Sequence, residues 1–187
     1  GTPKTDLPAA SLFAVQYALC ELWSAFGVRA DAVVVDGAGA YVGAWAAGAC
    51  SLDESLQLLV ACAQGERCSA DALDSRNLHL PLLWARTGEA VDLQGLFGLA
   101  LSKEGDAQPW KVPVDEDTQV LMLGRSFVTG ALKGGIDGGP AEVLLSLAEL
   151  YVNGTDVRWE ALEGVRALRR PVLPTYPFER KARRELA

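Results

Sequence analysis

The sequence predicts an α/β domain built on buried parallel strands and followed by an extended C-terminal segment. Three observations carry that reading. The run Ala32-Val33-Val34-Val35 is apolar and mostly β-branched, the pattern of a strand covered on both faces. A glycine-rich turn, Asp36-Gly37-Ala38-Gly39, follows it directly, and small residues then lead into a helix. At Asn153 the texture changes, and prolines at 171, 174 and 177 fix an extended course for the chain. The expected division is therefore a domain over 1–152 and a linker over 153–187.

Taken in order, the first element is a helix. Leu12, Phe13, Val15, Tyr17, Leu19, Leu22, Trp23 and Phe26 recur at helical spacing between Pro8, suited to a first turn, and Gly27, suited to a C-terminal stop. The strand at 32–35, the glycine turn and a second helix come next. A third helix is expected from Asp53 to Gln64, with Ser51 or Asp53 as its cap. Leu78 to Trp84 reads as a strand closed by the turn Thr87-Gly88-Glu89, and Gln119 to Leu123 as a buried strand ending at Gly124. Asp92 to Leu101 between them has a helical pattern. Gly134, Gly135, Gly138 and Gly139 mark a loop, after which Pro140 to Tyr151 has helical period.

Composition narrows the function classes. Half of the 187 residues are hydrophobic and 22% are charged, enough for one packed core and against a disordered chain. The net charge of −7 argues against a nucleic-acid-coating protein. Seven of the 17 basic residues fall at 166–184, so the body is acidic and the tail basic. A solvated linker explains those arginines more simply than a binding patch. Cys20, Cys50, Cys62 and Cys68 lie at spacings of no zinc or redox pair, and one histidine, His79, cannot complete a metal site. No metal or cofactor is expected. The apolar stretch from Ala38 to Cys50 is too short to span a bilayer, and the expected location is the cytoplasm, without a membrane partner.

The motifs then point to a family. Ser11-Leu12-Phe13-Ala14-Val15-Gln16-Tyr17-Ala18-Leu19 resembles the helix before the nucleophile elbow in the acyltransferase domains of modular polyketide synthases. In that family a strand enters Gly-His-Ser-x-Gly-Glu, followed by Ala-Gly-x-x-Ser-Leu and a helix. The chain has Val35-Asp36-Gly37-Ala38-Gly39-Ala40 and Ala47-Gly48-Ala49-Cys50-Ser51-Leu52 in the same order, without a gap from Leu12 to Leu59. Leu80-Pro81-Leu82 with Thr87-Gly88, and Val120-Leu121-Met122-Leu123-Gly124, resemble later strands of the family. Val157-Arg158-Trp159 and Leu173-Pro174-Thr175-Tyr176-Pro177-Phe178-Glu179-Arg180 resemble the linker that follows such acyltransferases.

The resemblance implies a small α/β-hydrolase-like acyltransferase core. The family's ferredoxin-like subdomain is not expected, because Gly65 to Leu78 is too short to contain it, and its Gly-Gln-Gly oxyanion loop has no counterpart. Carried over residue by residue, the nucleophilic serine falls on Gly37, which has no side chain to acylate. The preceding histidine falls on Asp36 and the glutamate on Ala40. The arginine that holds a malonyl-type carboxylate falls on Cys62, which cannot form a bidentate charged contact. His79 is a candidate remnant of the general base, although the same residues align equally with the later Pro-Leu strand.

The expected function is therefore a pseudo-acyltransferase without catalytic residues. It would serve as scaffold or docking module beside a ketosynthase or other domains of the same synthase, or for an acyl carrier protein or a discrete acyltransferase. Interaction residues implied by the linker resemblance are Trp159, Tyr176, Phe178 and Arg180, and Trp84, Phe97 and Trp110 are aromatics that either dock or close the core. The alternative is a repurposed module using the emptied cleft for acyl-coenzyme A or nucleotide. Gly37-x-Gly39-x-x-x-Gly43 after a buried strand is a variant dinucleotide pattern, but the strand that should follow reads as helix.

Overall fold

A computed structural model describes residues 9–64, 78–91, 118–124, 131–135 and 139–163. The helix expected at 92–101, the aromatics Phe97 and Trp110, and the linker residues Tyr176, Phe178 and Arg180 lie outside the described residues.

Helix α1 (Ala9–Ala25) opens the described chain and turns Phe13 and Trp23 inward. It stops at Gly27, whose φ of +87° is accessible to glycine without a Cβ clash. There the Gly27 amide donates to the Ser24 carbonyl at 3.0 Å and the Val28 amide to the Trp23 carbonyl at 3.0 Å. This Schellman pairing satisfies carbonyls that the helix end would leave bare. Strand β1 (Val33–Val35) leads through the elbow into helix α2 (Gly39–Ala46), and helix α3 (Leu52–Ala63) follows after a short connection. Ser51 caps α3 through a reciprocal box: its hydroxyl accepts from the Glu54 amide at 3.3 Å, and its own amide donates to the Glu54 carboxylate at 2.7 Å.

Strand β2 (Leu82–Trp84) lies parallel to β1, with Val33 opposite Leu82 and Val35 opposite Trp84. The expected strand began at Leu78, but the His79 amide donates to the Ala47 carbonyl at 2.8 Å, which bends the chain before the ladder starts. Strands β3 (Leu121–Met122) and β4 (Leu132–Lys133) form a second parallel pair. Helix α4 (Gly139–Val152) follows, and after it a single turn, α5 (Glu160–Glu163).

Two apolar clusters hold these elements. The first gathers Phe13, Val35, Ala40, Tyr41, Leu59 and Leu82, with Trp84 packed against it. The second gathers Trp23, Phe26, Leu132, Val143, Leu147 and Val157. Helix α1 contributes to both, Phe13 near its start and Trp23 near its end. The Trp23 indole N–H donates to the Gly134 carbonyl at 3.0 Å, tying α1 to the residue after β4. Past Asn153, where the sequence reads as linker, the chain first returns to this second cluster: Val157 is buried and the Arg158 amide donates to the Phe26 carbonyl at 2.8 Å.

Candidate functional site

The carboxyl end of a parallel strand is where α/β proteins usually place their chemistry, because the following loop and helix converge there. At the end of β1 the Gly39 amide donates to the Asp36 carbonyl at 3.1 Å, and the Ala40 amide donates to the Gly37 carbonyl at 3.0 Å. These bonds close a tight turn that reverses the chain into α2. Gly37 sits at its apex with φ +52°, in the left-handed region where an L side chain is strained. A Cβ there would have no heavy atom within 4 Å, so the apex faces open space. Gly43, one turn into α2, lets the helix rest on the strand, since a Cβ there would collide with Val35. Two glycines of the pattern thus have different tasks: Gly37 makes the bend and Gly43 the close approach.

The side chains around the apex are ion-paired or buried. Asp36 is exposed and bonded to Arg86 across the ends of β1 and β2, with Arg86 Nε 3.1 Å from Asp36 Oδ1. Exposed pairs of this kind contribute about 0.2 to 1 kcal/mol. Ala40 is fully buried, and Cys62 is buried in the first cluster on α3, away from solvent. His79 lies at the other end of α2. Its amide bonds the C-cap carbonyl of Ala47, and its ring lies against Gly48. An eight-residue helix separates it from the elbow, about 12 Å along the axis. The structure therefore brings Asp36, Gly37 and Ala40 together and leaves His79 out of reach of all three.

Two neighbours of the elbow were not legible as site residues. Arg86 carries no motif signal beyond its place after a strand. Gln16 carries one: it is a polar residue between Phe13 and Tyr17 on an otherwise apolar helix face. Its amide nitrogen is the nearest atom to a Cβ placed on Gly39, at 3.7 Å, and on Gly124, at 3.6 Å. Gln16 thus lies between the turns that follow β1 and β3. Its carboxamide oxygen is buried there without a hydrogen-bond partner among the described residues. A further polar contact fixes the scaffold, for the Ser55 hydroxyl of α3 donates to the Tyr41 carbonyl of α2 at 2.7 Å.

Two thiols, Cys20 and Cys50, are held neutral. Burial, and then the carboxylate of Glu21, pushes Cys20 from the ordinary 9.0 up to about 11. Burial and then Glu54 do the same to Cys50, also to about 11. Trp159, expected at the start of the linker, stands half exposed with its ring edge-on to Tyr151 at 5.3 Å. Among the described residues no three His, Cys, Asp or Glu side chains gather as a metal site, and no helix is long and apolar enough to cross a membrane.

Comparison with known proteins gives a partial match. Over 106 residues the chain is 37% identical to Polyketide synthase GfsA of Streptomyces halstedii. Over the same number it is 44% identical to Spectinabilin polyketide synthase system protein NorA' of Streptomyces orinoci. The chain is related to polyketide synthase proteins. The matched stretch is 57% of this chain but only 1% and 3% of those two synthases. No protein-family model and no solved structure matches the chain.

Proposed function

We propose that the chain is a non-catalytic module of a polyketide synthase, an acyltransferase-like α/β-hydrolase-type core that has lost its chemistry and acts as a scaffold or docking element. The observation that carries this reading is the elbow. A parallel strand, a left-handed apex at Gly37 and a glycine-led helix make the bend that exposes a nucleophile in hydrolase-like folds, and the residue at the apex has no side chain. The other candidate groups do not compensate. Asp36 is held in an ion pair, the thiols of Cys20 and Cys50 stay protonated at neutral pH, and His79 stands a helix length away. Nucleotide binding is the weaker reading, because α2 is followed by the helix α3 where a βαβ unit would place its second strand.

As a scaffold the module would sit beside a ketosynthase or another domain of the same synthase. As a docking element it would take a carrier protein or a discrete acyltransferase. The test is direct. The 187-residue chain is incubated with malonyl-, methylmalonyl- and acetyl-coenzyme A and its intact mass measured; an unchanged mass is expected, and an acyl adduct at one defined residue would overturn the proposal. Binding to carrier proteins and to discrete acyltransferases, measured across salt concentrations, then separates docking from scaffolding. A contact made by the basic tail weakens as salt rises.

A further inference from the structure

Helix α4 is apolar on both sides. Its inner side buries Val143, Leu147 and Leu150 in the second cluster. Its outer side carries Leu144, Leu145, Ala148, Tyr151 and Val152, at three- and four-residue steps that place them on one stripe. Those large side chains are 48 to 81% exposed, and Trp159 extends the patch past the helix end by packing on Tyr151. A helix that is apolar all round is normally covered all round.

The size of the patch and its arrangement indicate the cover. Five large side chains exposed to this degree leave on the order of 500 Å² of apolar surface, at the upper end for a monomer. The stripe is close to symmetric about Ala148: Leu144 and Leu145 lie four and three residues before it, Tyr151 and Val152 three and four after. The ends differ in bulk, with Ala141 at the slim end and Tyr151, Val152 and Trp159 at the bulky one. Two such faces fit when antiparallel. Each Ala148 then meets its copy at the closest approach, and each bulky end lies over the other's slim end. The burial would total about 1,000 Å², the lower bound for a specific interface.

We propose that the outer face of α4 pairs antiparallel, across a two-fold axis, with the same face of a second copy of this chain. This pairing does not depend on the loss of chemistry at Gly37, and either can fail alone. Glu149 lies about 100° round the helix from the stripe's centre and near its own copy, so added salt strengthens the pair.

The experiment is sedimentation velocity of the 187-residue chain from micromolar to several hundred micromolar, beside Leu145→Glu and Val152→Lys. The chain is expected to dimerise with increasing concentration. Each variant is expected to raise the dimer Kd at least tenfold with unchanged far-ultraviolet circular dichroism, because both side chains point outward and contribute little to the core. Ala148→Cys is expected to form a disulfide-linked dimer on mild oxidation, beyond any background of the unsubstituted chain. A chain that stays monomeric throughout overturns the proposal. So does a dimer whose Kd neither charged variant changes.

Discussion

At Gly37 the backbone holds φ +52° and the space a side chain would occupy is open. Gly37→Ser should therefore fold, with a loss of about 1 to 2 kcal/mol from left-handed strain, read as a lower denaturant midpoint. It should also take up no acyl group, because the histidine that could serve as base is at the far end of α2. An acylated Ser variant in intact-mass analysis would contradict that geometry. Cys20 and Cys50 supply a second residue-scale prediction. Their folded pKa values stand at about 11 against 9.0, so between those limits the unfolded chain loses protons that the folded chain keeps. Stability is therefore unaffected by these thiols below pH 9 and falls as pH rises toward 11, which urea midpoints at pH 8, 9.5 and 10.5 will show. Of the site itself, the glycine apex and its neighbour Asp36 were legible from residue order after a β-branched run. Arg86 was not, since its partner is fifty residues away in sequence.

Among the elements, α1 and α4 were legible from their periodicity, α3 from its cap, and β1 from a β-branched run closed by a glycine turn. The ends of α1, α2 and α4 share one backbone device. Gly27, Gly48 and Gly154 all adopt positive φ, and in each case the next amide reaches back to a carbonyl five residues earlier. Strand β4 and the single turn α5 were not legible, since two and four residues are too few to establish a period. The strand expected from Leu78 lost its first residues to a helix-end carbonyl, a tertiary bond that no local pattern announces. The α3 cap is open to test. Ser51→Ala removes the hydroxyl that accepts from Glu54 and should cost about 1 kcal/mol, while Ser51→Thr, which keeps the acceptor, should cost less; both are measurable by thermal unfolding.

For the whole molecule, α1 spans both apolar clusters, and this makes the two interdependent. Phe13 belongs to one, Trp23 and Phe26 to the other, and the Trp23 indole adds a bond to Gly134. Leu147 is fully buried in the second cluster, so Leu147→Ala should cost about 2 to 5 kcal/mol. Because the helix is shared, tryptophan fluorescence and far-ultraviolet circular dichroism should report the same lowered midpoint. Two separated transitions would mean that the clusters melt independently.

The ring of His79 rests on Gly48, at the point where α2 ends. Since the chain has a single histidine, its imidazole proton resonances need no assignment by mutagenesis. One isolated pair of magnetic-resonance signals can then be followed through any titration as a built-in gauge of whether that helix terminus is closed.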